Sequence, residues 1–563
     1  MPGVPLLEIR DLAIRFHDGE QALTVVDSLS FGLSESETLA VVGESGSGKT
    51  VTALAILKLI PIPPGEVAAG EILFRGNGGE PVDLLRLSEK GMQKVRGRAI
   101  SMVFQEPMTS LNPVFTCGSQ VSESLRLHLG MNKKDAREKT VELFREVLLP
   151  RPEEVFDAYP HELSGGQKQR VMIAMAIACN PAVLIADEPT TALDVTVQKT
   201  ILELMKSLQV RRKMSIIFVT HDLGIVADFA DRVLVMNKGK VVESGPVKEL
   251  FRNPQHPYTR GLLACRPPMT GRPVRLATVA DALSGYSNLS GWVTPEQRRM
   301  EHEKLYTREP VLVVERASKA YGNFRALDRA DLMVYPGETL GIVGESGSGK
   351  TTLARVVLEL IPATEGNIRY REVDITQITR GQMKKLRKDL QIIFQDPYSS
   401  LNPRITAGQA ILEPMKVHHL HGNDKNRIEK VHDLLQKVGL TPAHFRRYPH
   451  EFSGGQRQRI CIARALAVEP KLVICDESVS ALDVSIQAQV LNLLNDLKRE
   501  YELTYIFISH DLSVVKYMSD RLIVMRGGKI VETGEADEVY TNPQTEYTRM
   551  LLKAVPGGGG VVE

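Results

Sequence analysis

The sequence predicts two α/β domains in tandem, each with a largely parallel sheet core and a mostly helical insert. Three observations carry this expectation. The chain is written twice over, each half alternates short β-branched runs with helical patterns, and each half sets a glycine-rich turn between a strand and a helix.

The repeat spans nearly the whole chain. VVGESGSGKT at 41–50 recurs as IVGESGSGKT at 342–351, FQEPMTSLNP at 104–113 as FQDPYSSLNP at 394–403, and YPHELSGGQKQR at 159–170 as YPHEFSGGQRQR at 448–459. The first half carries extra residues between its first two motifs, around PVDLLRLSEKG, and the two halves then keep nearly constant register. Solenoid units run only roughly 20–50 residues, so a repeat this long means two complete domains. Its 563 residues also exceed the roughly 250–300 at which single cores stop growing. The expected boundaries are 1–267 for the first domain, 268–308 for a linker rich in Pro, Gly and Ser, and 309–555 for the second domain. A disordered tail is expected at 556–563. Within the linker, TPEQRRMEHEKLYTRE has the composition of a short charged helix.

Strands are expected at TLAVV (38–42), ISMVF (100–104), AVLIA (182–186) and SIIFVT (215–220), with counterparts TLGIV, LQIIF, KLVIC and TYIFIS. Strand–helix alternation of this kind favours a parallel sheet. Helical inserts are expected from about Asn112 to His161 and from Asn402 to His450. In RIEKVHDLLQKVGL the spacing sets Ile428, Val431, Leu434, Leu435 and Val438 on one face.

Composition excludes several classes. A hydrophobic fraction of 43% and a charged fraction of 25% are those of an ordinary globular protein. The net charge of +2 argues against a dedicated nucleic-acid binder. The five cysteines (Cys117, Cys179, Cys265, Cys461, Cys475) form no CxxC pair, which fits free thiols in a reducing compartment and argues against zinc. The N-terminus lacks the pattern of a secretory signal, and no apolar run approaches the roughly 18 residues of a membrane span. The expectation is a cytoplasmic chain that forms no transmembrane pathway by itself.

Chemistry enters with the glycine-rich turns. Gly43, Glu44, Ser45, Gly46, Ser47, Gly48, Lys49 and Thr50 follow a strand and open the helix VTALAILKLI; Gly344, Glu345, Ser346, Gly347, Ser348, Gly349, Lys350 and Thr351 do the same. In that context such a turn is a phosphate-binding loop. Its backbone N–H groups turn inward, the helix dipole favours an anion, the lysine neutralises β/γ-phosphates and the threonine ligates Mg²⁺. Further on, Ser164-Gly165-Gly166-Gln167 and Ser453-Gly454-Gly455-Gln456 each open a long helix. Ser-x-x-Gln is a capping-box pattern, yet two adjacent glycines weaken a first turn, so capping alone does not explain the string.

Duplicated downstream of duplicated phosphate loops, that string resembles the signature of the ABC ATPases. The resemblance implies that each domain's signature closes over the ATP held by the other's loop. Ser453 and Gly455 would then face Lys49, and Ser164 and Gly166 would face Lys350. It further implies that Asp187 and Asp476 hold Mg²⁺ and that Glu188 and Glu477 polarise the attacking water. Gln105 and Gln395 would join the Mg²⁺ site to the insert, and His221 and His510 would contact the γ-phosphate. Thr191-Ala192-Leu193-Asp194 and Ser480-Ala481-Leu482-Asp483 resemble D-loops. Phe16 and Tyr321 are candidates to stack on adenine, and Ser478 stands where the family usually has proline, as at Pro189.

Among ABC proteins, a DNA-repair enzyme needs CxxC pairs that are absent. A soluble factor acting on the ribosome, the alternative reading, typically has a long charged helical pair between its domains. FQEPMTSLNP, FQDPYSSLNP and the tails NPQHPYTRGLL (253–263) and NPQTEYTRMLL (542–552) resemble the peptide/nickel/opine uptake family of importers. That resemblance implies an ATP- and Mg²⁺-dependent motor on the cytoplasmic face of a bacterial inner membrane. Its partners would be two permease subunits and, indirectly, a periplasmic solute-binding protein. Peptides, glutathione, opines and glycosides stay open as cargo. Some relatives carry a four-cysteine iron–sulfur motif after this tail; only Cys265 lies there, so no cluster is expected.

Overall fold

The computed structural model describes residues 4–19, 21–76, 79–105, 110–191, 193–285, 291–480 and 482–555. Outside these lie the expected tail at 556–563, Ala192 and Ala481 of the two D-loop strings, residues 106–109 of FQEPMTSLNP, and 286–290 of the expected linker. The described residues divide into two compact units, one holding residues up to Leu193 and Val197–Leu263, the other Asp194–Thr196 and Ala264–Val555.

The first unit holds two sheets. Strands β1 (Leu7–Asp18), β2 (Gln21–Leu33), β4 (Gly65–Phe74) and β5 (Val82–Asp83) form an antiparallel sheet of order β2-β1-β4-β5. Strands β3 (Thr38–Val42), β6 (Ile100–Val103), β7 (Val183–Asp187), β8 (Ser215–Thr220), β9 (Arg232–Asn237) and β10 (Lys240–Pro246) form a sheet of order β10-β9-β3-β8-β7-β6. This sheet is parallel except for its edge strand β10. Every residue of β8 is buried, and alternate residues feed different cores. Ile216 and Phe218 pack with the helical insert, and Ile217 and Val219 with the antiparallel sheet. That two-sided burial is why central parallel strands read as continuous apolar runs.

The insert comprises helices Cys117–Leu129, Lys133–Glu146 and Pro152–Asp157. Side-chain caps from Thr116 and Asn132 start the first two, each satisfying helix-end donors worth about 1 kcal/mol.

The second unit repeats the plan. Strands β11 (Leu312–Tyr321), β12 (Phe324–Val334), β14 (Glu365–Tyr370) and β15 (Val373–Asp374) form the antiparallel sheet. Strands β13 (Thr339–Val343), β16 (Leu390–Ile393), β17 (Leu472–Asp476), β18 (Thr504–Ile508), β19 (Arg521–Arg526) and β20 (Lys529–Glu535) form the mainly parallel one. In the insert helix Asp424–Lys437, Val431, Leu434 and Leu435 are buried as expected, but Ile428 is 37% exposed. It lies in the first turns of the helix, before the face meets the core.

Two findings depart from the sequence reading. The first is that each unit carries an antiparallel sheet besides the parallel one. Leu7, Ile9, Leu12 and Ile14 of β1 are buried, but the inward phase slips between Ile9 and Leu12, where the register shifts and Asp11 takes φ +45°. The bulge breaks the two-residue alternation from which a strand is read. The second finding concerns the expected linker, which is no free connector: it packs on the second unit. Leu276 exchanges two hydrogen bonds with Asn492 (2.9 Å each), and Arg272 Nη1 donates to the carbonyl oxygens of Tyr517 and Ser519. The expected charged helix forms at Pro295–Tyr306, where Arg298 bridges Glu535 and Asp537. Pro, Gly and Ser mark irregular backbone, and irregular backbone can still be anchored through arginine donors.

Candidate nucleotide site

In each unit the phosphate loop turns between a central parallel strand and a helix, Lys49–Ile56 after β3 and Lys350–Val357 after β13. The turn demands its glycines. Gly43 has φ +154°, and a Cβ there would lie 2.2 Å from the Met236 carbonyl oxygen; at Gly344 (φ +152°) it would lie 2.2 Å from Met525 O. The lysine lies across the loop. Lys49 Nζ donates to Gly43 O (2.8 Å) and Glu44 O (2.9 Å), and Lys350 Nζ to Gly344 O and Glu345 O at the same distances. Both lysines are nearly buried, whereas Ser45, Gly46 and Thr50 of the first loop stand exposed.

At the end of the neighbouring parallel strand, Asp187 Oδ1 accepts from Thr50 Oγ1 at 3.2 Å, and Asp476 Oδ1 from Thr351 Oγ1 at 3.2 Å. Burial, with the adjacent Glu188 charge, pushes the Asp187 carboxyl up to about 6; burial likewise raises Asp476, with Glu477 contributing. A buried carboxylate beside a hydroxyl offers two hard oxygen donors, and the nearby Lys49 and Lys350 charges only partly offset its burial. The pair therefore fits a small divalent cation such as Mg²⁺.

The next residue leaves the strand in a left-handed turn, φ +46° at Glu188 and +48° at Glu477, an arrangement costing roughly 1–3 kcal/mol for a non-glycine residue. The turn is pinned by Glu188 N–H donating to Val219 O and Glu477 N–H to Ile508 O. Three side chains converge on Glu188: Gln105 Nε2 at 2.9 Å, Thr191 Oγ1 at 3.0 Å and His221 Nδ1 at 3.0 Å. Burial pushes the Glu188 carboxyl up, but His221 and the Thr191 hydroxyl outweigh it and hold the group below its ordinary range.

In the second unit Gln395 Nε2 lies 2.7 Å from Glu477, and His510 Nδ1 lies 3.6 Å away. Glu477 is again held down against burial by its histidine, and His510 is raised by Glu477 although burial opposes it. Ser480 does not repeat Thr191, since its hydroxyl donates to the Glu477 carbonyl (2.8 Å) rather than to the carboxylate. Ser478 is buried in the turn beside it.

Ser164 and Ser453 cap the helices Gly165–Ile177 and Gly454–Leu466 through full capping boxes with Gln167 and Gln456. The second signature glycine has a packing role as well. A Cβ on Gly166 would lie 2.7 Å from Val197 Cγ1, and one on Gly455 would lie 2.4 Å from Ile486 Cγ2. Gly165 and Gly454 meet no such obstacle. The two aromatic candidates differ. Phe16 is half-buried and packs against the core, whereas Tyr321 is 52% exposed with the Lys319 ammonium 5.2 Å from its ring.

The sequence reading assigned no part in the site to Thr191's hydroxyl, or to Tyr258 and Tyr547, whose hydroxyls accept from the loop N–H groups of Glu44 and Glu345. The only sequence signal for the tyrosines is that both tails keep YTR. In the second unit a cavity of about 750 Å³ runs from Thr351 and Asp476 past Gln395 to Val417 and His418 of the insert. Among the described residues no helix is long and apolar enough to cross a membrane.

A phosphate loop on a central strand, a strand-end Asp-Glu pair, and a glutamine and a histidine on that glutamate define an ATP-binding cassette. The ABC transporter family matches residues 26–191 and 327–480, and the oligopeptide/dipeptide transporter C-terminal region matches 242–291 and 531–559. The chain belongs to the ABC transporter family and is an ABC-type ATPase with two cassettes in tandem. It is 48% identical to the glutathione import ATP-binding protein GsiA of Salmonella paratyphi A, over 98% of this chain and 89% of that one. It is 46% identical to GsiA of Pectobacterium atrosepticum (99% and 90%) and 47% identical to GsiA of Escherichia coli O157:H7 (98% and 89%).

Proposed function

We propose that this chain is the motor of a bacterial importer for glutathione or similar small peptides, hydrolysing ATP at two sites to drive two permease subunits. It would lie peripherally on the cytoplasmic face of the inner membrane, with a periplasmic binding protein delivering the cargo. The observation that carries the reading is the convergence of Gln105, Thr191 and His221 on Glu188 beside Thr50 and Asp187, largely repeated around Glu477.

That geometry supports the following residue roles. The loop N–H groups other than those of Glu44 and Glu345, which donate to the Tyr258 and Tyr547 hydroxyls, take the phosphates, and Lys49 and Lys350 exchange their loop carbonyls for β/γ-phosphate oxygens. Mg²⁺ bound with ATP at Thr50–Asp187 and Thr351–Asp476 supplies charge neutralisation of the phosphates. Glu188 and Glu477, held ionised by their histidines, accept the proton of the attacking water. Gln105 and Gln395 tie that carboxylate to the insert, which bears the permease. Ser164 and Gly166 serve the ATP on Lys350, and Ser453 and Gly455 the ATP on Lys49, as the family resemblance implies. Tyr321, the exposed aromatic, is the stronger candidate for adenine, and Phe16 the weaker.

The test is uptake by vesicles holding the chain with its co-purified permeases and binding protein. ATP-dependent accumulation of labelled glutathione, competed by short peptides and lost in Glu188→Gln/Glu477→Gln, is expected. Uptake of opines or glycosides but not peptides would refute the cargo, and ATPase activity indifferent to permeases would refute the motor.

A further inference from the structure

In both units a tyrosine from the C-terminal extension reaches the phosphate loop. Glu44 N–H donates to the Tyr258 hydroxyl at 3.1 Å, and Glu345 N–H to the Tyr547 hydroxyl at 3.2 Å. The tyrosines lie on helices Pro257–Ala264 and Glu546–Lys553, with 1% and 6% of their surfaces exposed. Burial pushes the Tyr547 phenol up to about 12, so its hydroxyl stays neutral throughout the physiological range.

Each extension is fastened to the edge strand of its own parallel sheet by one glutamate. Glu243 on β10 accepts from the N–H groups of Gln255 (2.8 Å) and His256 (3.1 Å). Glu532 on β20 accepts from Gln544 N–H (2.7 Å), Thr545 N–H (3.0 Å), Thr545 Oγ1 (2.9 Å) and Thr548 Oγ1 (2.5 Å). Burial raises both carboxyls, yet neighbouring donors, Thr259 with the Gln255 and His256 amides at Glu243 and Thr548 with the Gln544 and Thr545 amides at Glu532, hold them below their ordinary range, which keeps the anchors ionised. A continuous series of contacts thus runs from sheet edge to glutamate, to extension helix, to tyrosine hydroxyl, to loop amide. It is built twice in one chain.

We infer that Tyr258 and Tyr547 are positioning residues that preset the phosphate loops for nucleotide, so that the C-terminal extension tunes ATP affinity. The loop needs the restraint, because Gly43, Gly46 and Gly48 all have positive φ and leave it few side chains to pack. The lysine fixes the carbonyls of Gly43 and Glu44, and the tyrosine fixes the amide of Glu44. A loop already ordered loses less entropy when phosphates arrive. The inference rests on these loops being the ATP sites.

Tyr258→Phe, Tyr547→Phe and the double variant, made in the full chain, keep the ring and remove only the hydroxyl. A neutral hydrogen bond of about 0.5–1.5 kcal/mol corresponds to roughly a 2- to 13-fold change in binding. Nucleotide affinity should weaken within that range, and KM for ATP should rise with kcat at saturating ATP within about twofold of wild type. Amide exchange in peptides spanning 43–48 and 344–349 should quicken without nucleotide and recover when ATP binds. Glu243→Gln, which slackens the anchor and leaves the tyrosine in place, should raise KM in the same sense and serves if a tyrosine variant fails to fold. Unchanged KM and exchange, or a fall in kcat at unchanged KM, would overturn the inference. Failure of the wild-type chain to bind ATP would instead overturn the assignment of the loops.

Discussion

Replacing Gly43 with alanine tests whether the phosphate loop depends on a backbone approach that no side chain permits. The new Cβ would stand 2.2 Å from Met236 O, about 1 Å closer than such atoms approach without repulsion. Met236 lies within β9, paired on one side with β10 and followed by a turn whose Gly239 N–H bonds to Ser47 O (3.1 Å). The strand is held from several directions, so the loop is the partner that moves, by about the missing 1 Å. A misplacement of that size at a reacting centre costs about 10²-fold in turnover. Overpacking against backbone adds about 1–3 kcal/mol of destabilisation. Gly46 is the control. It has φ +78° but no atom within 4 Å of its would-be Cβ, so Gly46→Ala carries only the left-handed cost of about 1–2 kcal/mol. Steady-state ATPase rates and thermal unfolding of both variants measure the contrast. Gly43→Ala as active as wild type to within twofold, or no less stable than Gly46→Ala, would refute the steric argument.

Three further outcomes are expected. Glu188→Gln and Glu477→Gln should each lower turnover by about 10²–10⁴-fold while nucleotide-binding titrations stay near wild type, because the lysine and the Thr–Asp pair remain. Asp187, pushed up to about 6 by burial, binds a proton in the folded chain that the unfolded chain has already lost between about pH 4 and 6. Stability of the nucleotide-free chain should therefore fall as pH rises through that window and stay reduced above it. Asp187→Asn should then stabilise the chain by about 1–3 kcal/mol at pH 7.5 while abolishing hydrolysis, read by unfolding midpoints at pH 4.5 and 7.5. Gly166→Ala should destabilise the first unit by about 1–3 kcal/mol through Val197, and Val197→Ala in the same chain should restore stability. If turnover returned with stability, the glycine would serve packing alone.

Fold and site are legible in the sequence where chemistry and local pattern coincide. Residues 183–186 and 216–219 are unbroken apolar runs because both faces are covered, and the residues that follow their strands, Glu188 and His221, meet at 3.0 Å. Fold and site are hidden where the decisive contact is remote or the pattern is interrupted. Tyr258 meets Glu44 across 214 residues of sequence, and the side chains near either one do not signal it. The bulges at Asp11 and Arg316, both at positive φ, shift the phase of β1 and β11 and hide the antiparallel sheets. The stretch before Glu309 has a linker's composition but carries Arg272 and Arg298, whose carbonyl and carboxylate partners lie more than 200 residues away. The difference between Thr191 and Ser480 was visible as letters. That only the threonine hydroxyl would reach the carboxylate depended on the geometry of the turn.

The central claim is that one chain carries two hydrolytically competent ATP sites. Each unit keeps the lysine, the Thr–Asp pair, the glutamate and the histidine, although His510 stands farther from Glu477 than His221 does from Glu188. The most direct measurement is ATP stoichiometry in the Glu188→Gln/Glu477→Gln chain, set beside the hydrolysis rate of each single variant. Two ATP bound per chain, with both single variants severely impaired, is the expected result. One ATP per chain, or one single variant hydrolysing like wild type while the other is dead, would contradict it.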